Sequence, residues 1–241
     1  MEIKKKYSPN FDKKKRSKKS IKIIVIHYTG MQSERESLLR LCDPKSKVSS
    51  HFVINQNGII YRLVDNAYVA WHAGRSSWKK CKGLNKNSIG IELINKGHEF
   101  GYTSFKNKQI TSLIKVCKIL IKKYKIKNEN IVGHSDIAPL RKKDPGEKFP
   151  WKKLAKNNIS IWHSCKINKI KKLRNIRIFS IQEKKIFIKN LKKIGYFLTN
   201  SNNFLLTKTI KAFQRHYRQE LINGKLDKEC IIIAENLSKK L

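Results

Sequence analysis

The run Ile21-Lys22-Ile23-Ile24-Val25-Ile26-His27-Tyr28 constrains the fold more than any other stretch of the chain. It is short, dominated by β-branched side chains and free of helical period, so it reads as a buried β-strand. Residues 51–64 form two apolar runs joined at Asn57-Gly58, a favoured two-residue hairpin turn. Residues 88–94 and 131–134 read as two further strands. Helical signals lie between them. Ser33 followed three residues on by Glu36 opens a short helix in the manner of a capping box. Ile110, Leu113, Ile114, Cys117, Leu120, Ile121 and Tyr124 fall at helical spacing within residues 103–126. A turn-rich segment with Pro139, Pro145, Gly146 and Pro150 follows. Strands interleaved with helices predict an α/β fold, a mixed central β-sheet flanked by helices.

The pattern changes after Trp162. Residues 164–179 read as a basic linker, and residues 180–241 as a small three-helix domain with helices near 182–194, 206–219 and 227–237. Its expected core is Ile186, Leu191, Ile210, Phe213, Leu226 and Ile232. Residues 1–20, mostly charged, read as a flexible or surface-bound arm. The expected organisation is thus an arm (1–20), a main domain (21–163), a linker (164–179) and a helical domain (180–241).

With 39% hydrophobic residues in 241, the chain can bury a core and is not a disordered polymer. The formal net charge of +38 admits two readings: a polyanionic partner, or drift toward the A/T-rich codons of Lys, Ile and Asn. The cations run through the whole length rather than forming one stripe, which favours drift. Nucleic-acid binding is disfavoured, because no basic helix-turn-helix, zinc finger or RNP-like stretch occurs. Five scattered cysteines without a C-x-x-C pair make neither a disulfide framework nor a thiolate metal site. No apolar run approaches the about 20 residues of a membrane helix, and the first apolar run is too short for a signal-peptide core.

His27, His134 and Asp144 each stand where a rigid element ends or a turn begins. Two imidazoles and a carboxylate match the three protein ligands of a catalytic zinc, which keeps a fourth position open. Singly, each also has an ordinary reading: a hydrogen-bonded strand-end histidine, or a turn aspartate before Pro145-Gly146. Spacing alone leaves both open.

Sequence context separates them. Val25-Ile26-His27-Tyr28-Thr29, Ser50-His51-Phe52-Val53-Ile54, Ala70-Trp71-His72-Ala73-Gly74, Ser88-Ile89-Gly90-Ile91-Glu92, Gly133-His134-Ser135-Asp136-Ile137-Ala138-Pro139 and Arg141-Lys142-Lys143-Asp144-Pro145-Gly146 occur in that order. Together they resemble the type 2 N-acetylmuramoyl-L-alanine amidases, the AmpD/AmiD group of bacterial enzymes, from about Tyr7 to Trp151. The resemblance implies a zinc-dependent hydrolase of the amide between N-acetylmuramic or anhydromuramic acid and the L-alanine of the stem peptide, acting in peptidoglycan turnover or recycling. It implies Zn²⁺ bound by His27, His134 and Asp144, with Glu92 and Lys142 catalytic. Glu92 would handle protons, and Lys142 would stabilise the developing oxyanion. His51, Trp71 and His72 would line the substrate groove. Two of these also have a structural reading: a backbone hydrogen bond for His51 and a core position for Trp71. His98, His163 and His216 stand in no motif and are expected to be structural or surface residues.

The segments Leu191-Lys192-Lys193-Ile194-Gly195-Tyr196, Thr209-Ile210-Lys211-Ala212-Phe213-Gln214-Arg215-His216 and Gly224-Lys225-Leu226-Asp227 look like the three-helix peptidoglycan-binding domain joined to many cell-wall hydrolases. Animal recognition proteins share the catalytic fold, and some bind without cutting because their metal site is incomplete. Here every ligand and catalytic position is filled. The expected partners are peptidoglycan or muropeptides, and the chain is expected to be a monomer. Without an export signal the expected location is the cytoplasm, with the periplasm as the alternative should a signal have been removed.

Overall fold

In the computed structural model, which describes residues 3–176, 178, 180–198 and 203–241, a six-stranded sheet forms the centre. The first half of the chain supplies β1 (Ile3–Lys5), β2 (Phe11–Asp12), β3 (Ile23–Tyr28), α1 (Glu34–Cys42), β4 (Phe52–Ile54) and β5 (Ile60–Arg62). Then come β6 (Val69–Ala70), β7 (Ser77–Trp78), β8 (Cys81–Lys82), β9 (Ser88–Leu93), α2 (Asn107–Tyr124) and β10 (Ile131–Gly133). Six helices follow: α3 (His134–Ile137), α4 (Trp151–Lys156), α5 (Ile167–Lys171), α6 (Ile181–Ile194), α7 (Asn203–Tyr217) and α8 (Lys228–Ser238).

The sheet order is β1-β5-β4-β9-β3-β10. Among the described residues of this sheet, β4 and β5 form the one antiparallel pair; β3, β4, β9 and β10 run parallel. Their C-terminal ends therefore share one edge, where open α/β sheets place their sites. Register completes the arrangement: His27 stands opposite Glu92, and Gly133, just before His134, stands opposite Ile26.

The alternation of side chains along β3 divides the core. Ile24 and Ile26 pack with Ile110, Leu113, Val116, Cys117 and Leu120 of α2. Ile23 and Val25, on the other face, belong to a cluster with Trp78 and with Phe187, Leu191, Phe213 and Tyr217 of the C-terminal helices. Ser33 caps α1, accepting from the Glu36 N–H at 3.1 Å. Among the described residues, no helix is long and apolar enough to cross a membrane.

Three expectations are sharpened or corrected. Of the flexible and the surface-bound readings of the first segment, residues 3–20 follow the surface-bound one. Strand β1 pairs with β5, Ser8 Oγ donates to the Leu41 carbonyl at 2.5 Å, and Asn10 Nδ2 donates to the Asp43 and Val48 carbonyls, both at 2.8 Å. The buried members of this segment are small and polar, so hydropathy does not reveal them. Met1 and Glu2 lie outside the described residues.

The second correction concerns the linker and the separateness of the helical domain. Residues 167–171 are helix α5, Ile170 is buried, and Arg174 forms ion pairs with Glu229 and Glu220. Arg177 and Phe179, near the expected boundary, lie outside the described residues. The C-terminal helices share one core cluster with the sheet. Gly195, at φ +140°, ends α6 against Trp78, and a Cβ there would come within 2.4 Å of the indole.

The third correction is one of helical phase. Ile186 and Ile232 are exposed, and their neighbours Phe187 and Ile233 fill the core. A shift of one residue rotates a helix by about 100°, enough to exchange inside for outside. Strand β10 also stops at Gly133, so His134 opens α3 rather than closing a strand.

Candidate active site

Three elements deliver one polar atom each to a common point. His27 comes from the end of β3, His134 from the start of α3, and Asp144 from a loop tied back by the Ser135 N–H donating to the Asp144 carbonyl at 2.8 Å. The His27 and His134 Nδ1 atoms lie 2.9 Å apart, and each is 3.1 Å from Asp144 Oδ2. All three residues are buried. His27 Nε2 lies 3.1 Å from His72 Nδ1, and His134 Nε2 lies 3.2 Å from the Ala73 carbonyl. Both outer nitrogens are thus engaged away from the cluster.

Electrostatics suit the same arrangement. Burial, then the neighbouring His134, pushes the His27 imidazole down to about 4, so it is neutral at neutral pH. Burial opposes ionisation of Asp144, but the two imidazoles hold its carboxyl below the ordinary carboxylate range. Neutral imidazoles and an ionised carboxylate are the forms that ligate a metal.

Glu92 stands beside this cluster, and burial, then the Asp144 charge, raises its carboxyl to about 8. Its Oε2 is buried without a hydrogen-bond partner. Unpartnered buried oxygens are uncommon and mark places where a proton or ligand is handled. The nearby Lys142 opposes the rise.

The cluster lies in a groove of about 640 Å³ whose walls include Tyr28, Trp71, His72, Glu92, His98, Arg141 and Lys142. Trp71 is on that wall, its Nε1 donating to Asp12 at 2.7 Å. His72 reaches it with an edge and packs against His27. His51 does not reach it. The ring is fully buried, its Nδ1 accepts from the Gly90 N–H at 3.0 Å, and the Arg16 guanidinium sits 2.7 Å from its Nε2. Groove contact by His51 is therefore corrected: the ring is used up inside the sheet.

Several site residues escaped the sequence. His98 lines the groove, its Nδ1 2.8 Å from the Tyr28 hydroxyl and its Nε2 3.2 Å from Glu147. No neighbouring residue signals this. Arg141, within the R-K-K-D-P-G stretch, donates to the Ala73 and Arg75 carbonyls and so ties the groove wall to the loop that carries Asp144. His216, from α7, donates from Nδ1 to Asp136 Oδ2 at 2.8 Å while stacked on Trp151. Tyr196 donates to Asp136 Oδ1 at 2.7 Å. The C-terminal helices thereby grip α3 two residues beyond His134.

Comparisons with known proteins show which family the chain resembles. A family model described as N-acetylmuramoyl-L-alanine amidase matches residues 17–147. The chain is 37% identical over 234 residues to N-acetylmuramoyl-L-alanine amidase AmiD of Escherichia coli (strain K12), covering 91% of this chain and 83% of that protein. It is 34% identical over 164 residues to 1,6-anhydro-N-acetylmuramyl-L-alanine amidase AmpD of Haemophilus influenzae, covering 61% and 86%. A solved complex of the E. coli AmiD with anhydro-N-acetylmuramic acid-L-Ala-D-gamma-Glu-L-Lys superposes with a TM-score of 0.80 at 36% identity, over 95% of this chain and 92% of that one.

Proposed function

Because the chain belongs to the N-acetylmuramoyl-L-alanine amidase family, we propose that it hydrolyses the muramyl–L-alanine amide of peptidoglycan fragments with a zinc ion held by His27, His134 and Asp144. The observation that carries the reading is the triangle of ligand atoms, 2.9 to 3.1 Å on a side, beside the unpartnered Glu92 oxygen. Tetrahedral zinc ligands at about 2.0–2.1 Å lie about 3.3–3.4 Å from one another, so a slight opening of this triangle accommodates the ion. Two nitrogens and one carboxylate oxygen are also a donor set that zinc accepts readily.

Bound zinc supplies Lewis acidity, polarising the scissile carbonyl and acidifying a water near neutral pH. The protein's residues do the rest. Glu92 takes the proton of the attacking water as its oxygen adds to the lactyl carbonyl carbon. Lys142, half-buried on the groove wall, faces the developing oxyanion with a positive charge. Glu92 then returns the proton to the alanine nitrogen as the C–N bond breaks. Burial raises the metal-free carboxyl to about 8, and a zinc ion beside it would lower that value toward neutrality, where the group can both take and return a proton.

Arg40, Lys96, Lys142 and Lys143 line the same groove and are complementary to the carboxylates of a stem peptide. The anhydromuramyl peptide held by the E. coli relative is a substrate of that chemistry. The test is removal and return of the metal. Chelation to undetectable zinc should abolish peptide release from an anhydromuramyl peptide, and stoichiometric zinc should restore it. Full activity in a protein shown to be zinc-free would overturn the reading.

A further inference from the structure

We propose that His72, backed by Ser88, is a positioning residue that fixes His27 in the tautomer whose Nδ1 lone pair faces the metal. The inference rests on the zinc reading above, but it assigns His72 a different task from groove contact.

The hydrogen bonds give the chain of donors a direction. Ser88 Oγ lies 2.6 Å from the Leu84 carbonyl, which can only accept, so the hydroxyl proton points there. Ser88 Oγ is then free to accept from His72 Nε2, 3.2 Å away. A neutral imidazole that donates from one nitrogen offers a lone pair at the other. His72 Nδ1 therefore accepts from His27 Nε2–H at 3.1 Å, leaving His27 Nδ1 as a bare lone pair toward His134 and Asp144. Because the series ends on a backbone carbonyl, it cannot run the other way. The His72 ring is largely buried, and among the described residues no carboxylate contacts it to support a second proton.

The adjacent residue does the same for the second histidine. The Ala73 carbonyl lies 3.2 Å from His134 Nε2 and is placed to accept its N–H when the His134 Nδ1 atom, which faces His27 and Asp144, turns its lone pair to a bound ion. Residues 72 and 73 thus orient both imidazole ligands. Their own position is fixed by Asn85, whose Oδ1 accepts from the His72 N–H at 3.1 Å and the Ala73 N–H at 2.7 Å. Gly90 leaves room for the ring: a Cβ there would fall within 2.7 Å of His72 Nδ1. With both ring nitrogens engaged inward, His72 has none left for substrate.

The experiment compares His72→Leu, His72→Asn and Ser88→Ala with His134→Ala in the full chain. Zinc affinity is read by chelator competition, and the His27 tautomer by long-range ¹⁵N correlation in the metal-free protein. Loss of a partner that orients a metal ligand costs about 10–100-fold in affinity, and His72→Leu should show that loss. His72→Asn should recover much of it, because the Asn oxygen can accept where Nδ1 does. The wild-type His27 should be the Nε2–H tautomer, and His72→Leu should lose that preference. Wild-type zinc affinity in His72→Leu, with His134→Ala binding none, would overturn the proposal. So would a wild-type His27 protonated at Nδ1, a result that does not depend on the variants folding. If the chain takes up no zinc yet shows the expected tautomer, the zinc reading fails and the positioning role stands.

Discussion

Replacing Asp136 with Ala should destabilise the whole protein by several kcal/mol, although the residue is neither ligand nor catalytic group. Its carboxylate is 1% exposed and accepts from three donors: the Gly133 N–H at 2.7 Å, the Tyr196 hydroxyl at 2.7 Å and His216 Nδ1 at 2.8 Å. Each buried donor left without a partner costs about 1–3 kcal/mol. Water entering the vacated space recovers part of that sum, and a broken buried pair typically costs about 3–5 kcal/mol. For a chain of this length, each kcal/mol moves the thermal midpoint by about 2–4 °C, so the midpoint should fall by about 6–20 °C. Circular dichroism melts of Asp136→Ala, His216→Ala and the double variant give the coupling directly. The two residues share one hydrogen bond, so the cycle should return an interaction of about 1 kcal/mol or more. A loss below about 1 kcal/mol for Asp136→Ala, or strict additivity with His216→Ala, would refute the view that the C-terminal helices brace α3.

Other outcomes follow from the same contacts. A chain ending at His163 loses Phe187, Leu191, Phe213 and Tyr217 from the cluster that covers Ile23, Val25 and Trp78. It should be insoluble or lack near-UV circular dichroism, and a soluble, active fragment would contradict the shared core. Lys142→Ala should retain zinc while turnover falls by about 10²–10³-fold, the scale of other oxyanion donors; an unchanged rate removes Lys142 from the mechanism. The hydrogen bond from His98, opposed by burial, holds the Glu147 carboxyl below its ordinary range. A depressed carboxyl stabilises the fold above its unfolded pKa of about 4.3, and that contribution is lost as pH falls through the folded value. Melts of wild type and His98→Ala should therefore differ at pH 7 and converge in acid, whereas a constant gap would show that the pair carries no linkage.

The central site was legible because its residues sit at the ends of strands with strong signals. The β-branched run of β3 places His27, and parallel pairing carries Glu92 and His134 to the same edge. What the sequence hid was polar or a matter of phase. Ser8, Asn10 and Arg16 tie the first segment down through hydrogen bonds to backbone carbonyls, and no hydropathy pattern records such bonds. Ile186 and Phe187 are adjacent and both apolar, so spacing did not say which one faces inward. His98 and His216 acquire their roles from partners 70 and 80 residues away in the chain, Tyr28 and Asp136, a separation that local context cannot bridge.

Metal binding and proton handling are assigned here to different residues of one site. Glu92→Gln tests this assignment most directly, with zinc content by elemental analysis and amide cleavage by chromatography measured on the same preparation. Glu92 supplies no atom to the triangle of His27, His134 and Asp144, so the variant should keep about one zinc per chain. Its turnover of an anhydromuramyl peptide should fall by about 10²–10⁴-fold, the range for lost general acid–base help. Cleavage near the wild-type rate with zinc in place would contradict the mechanism.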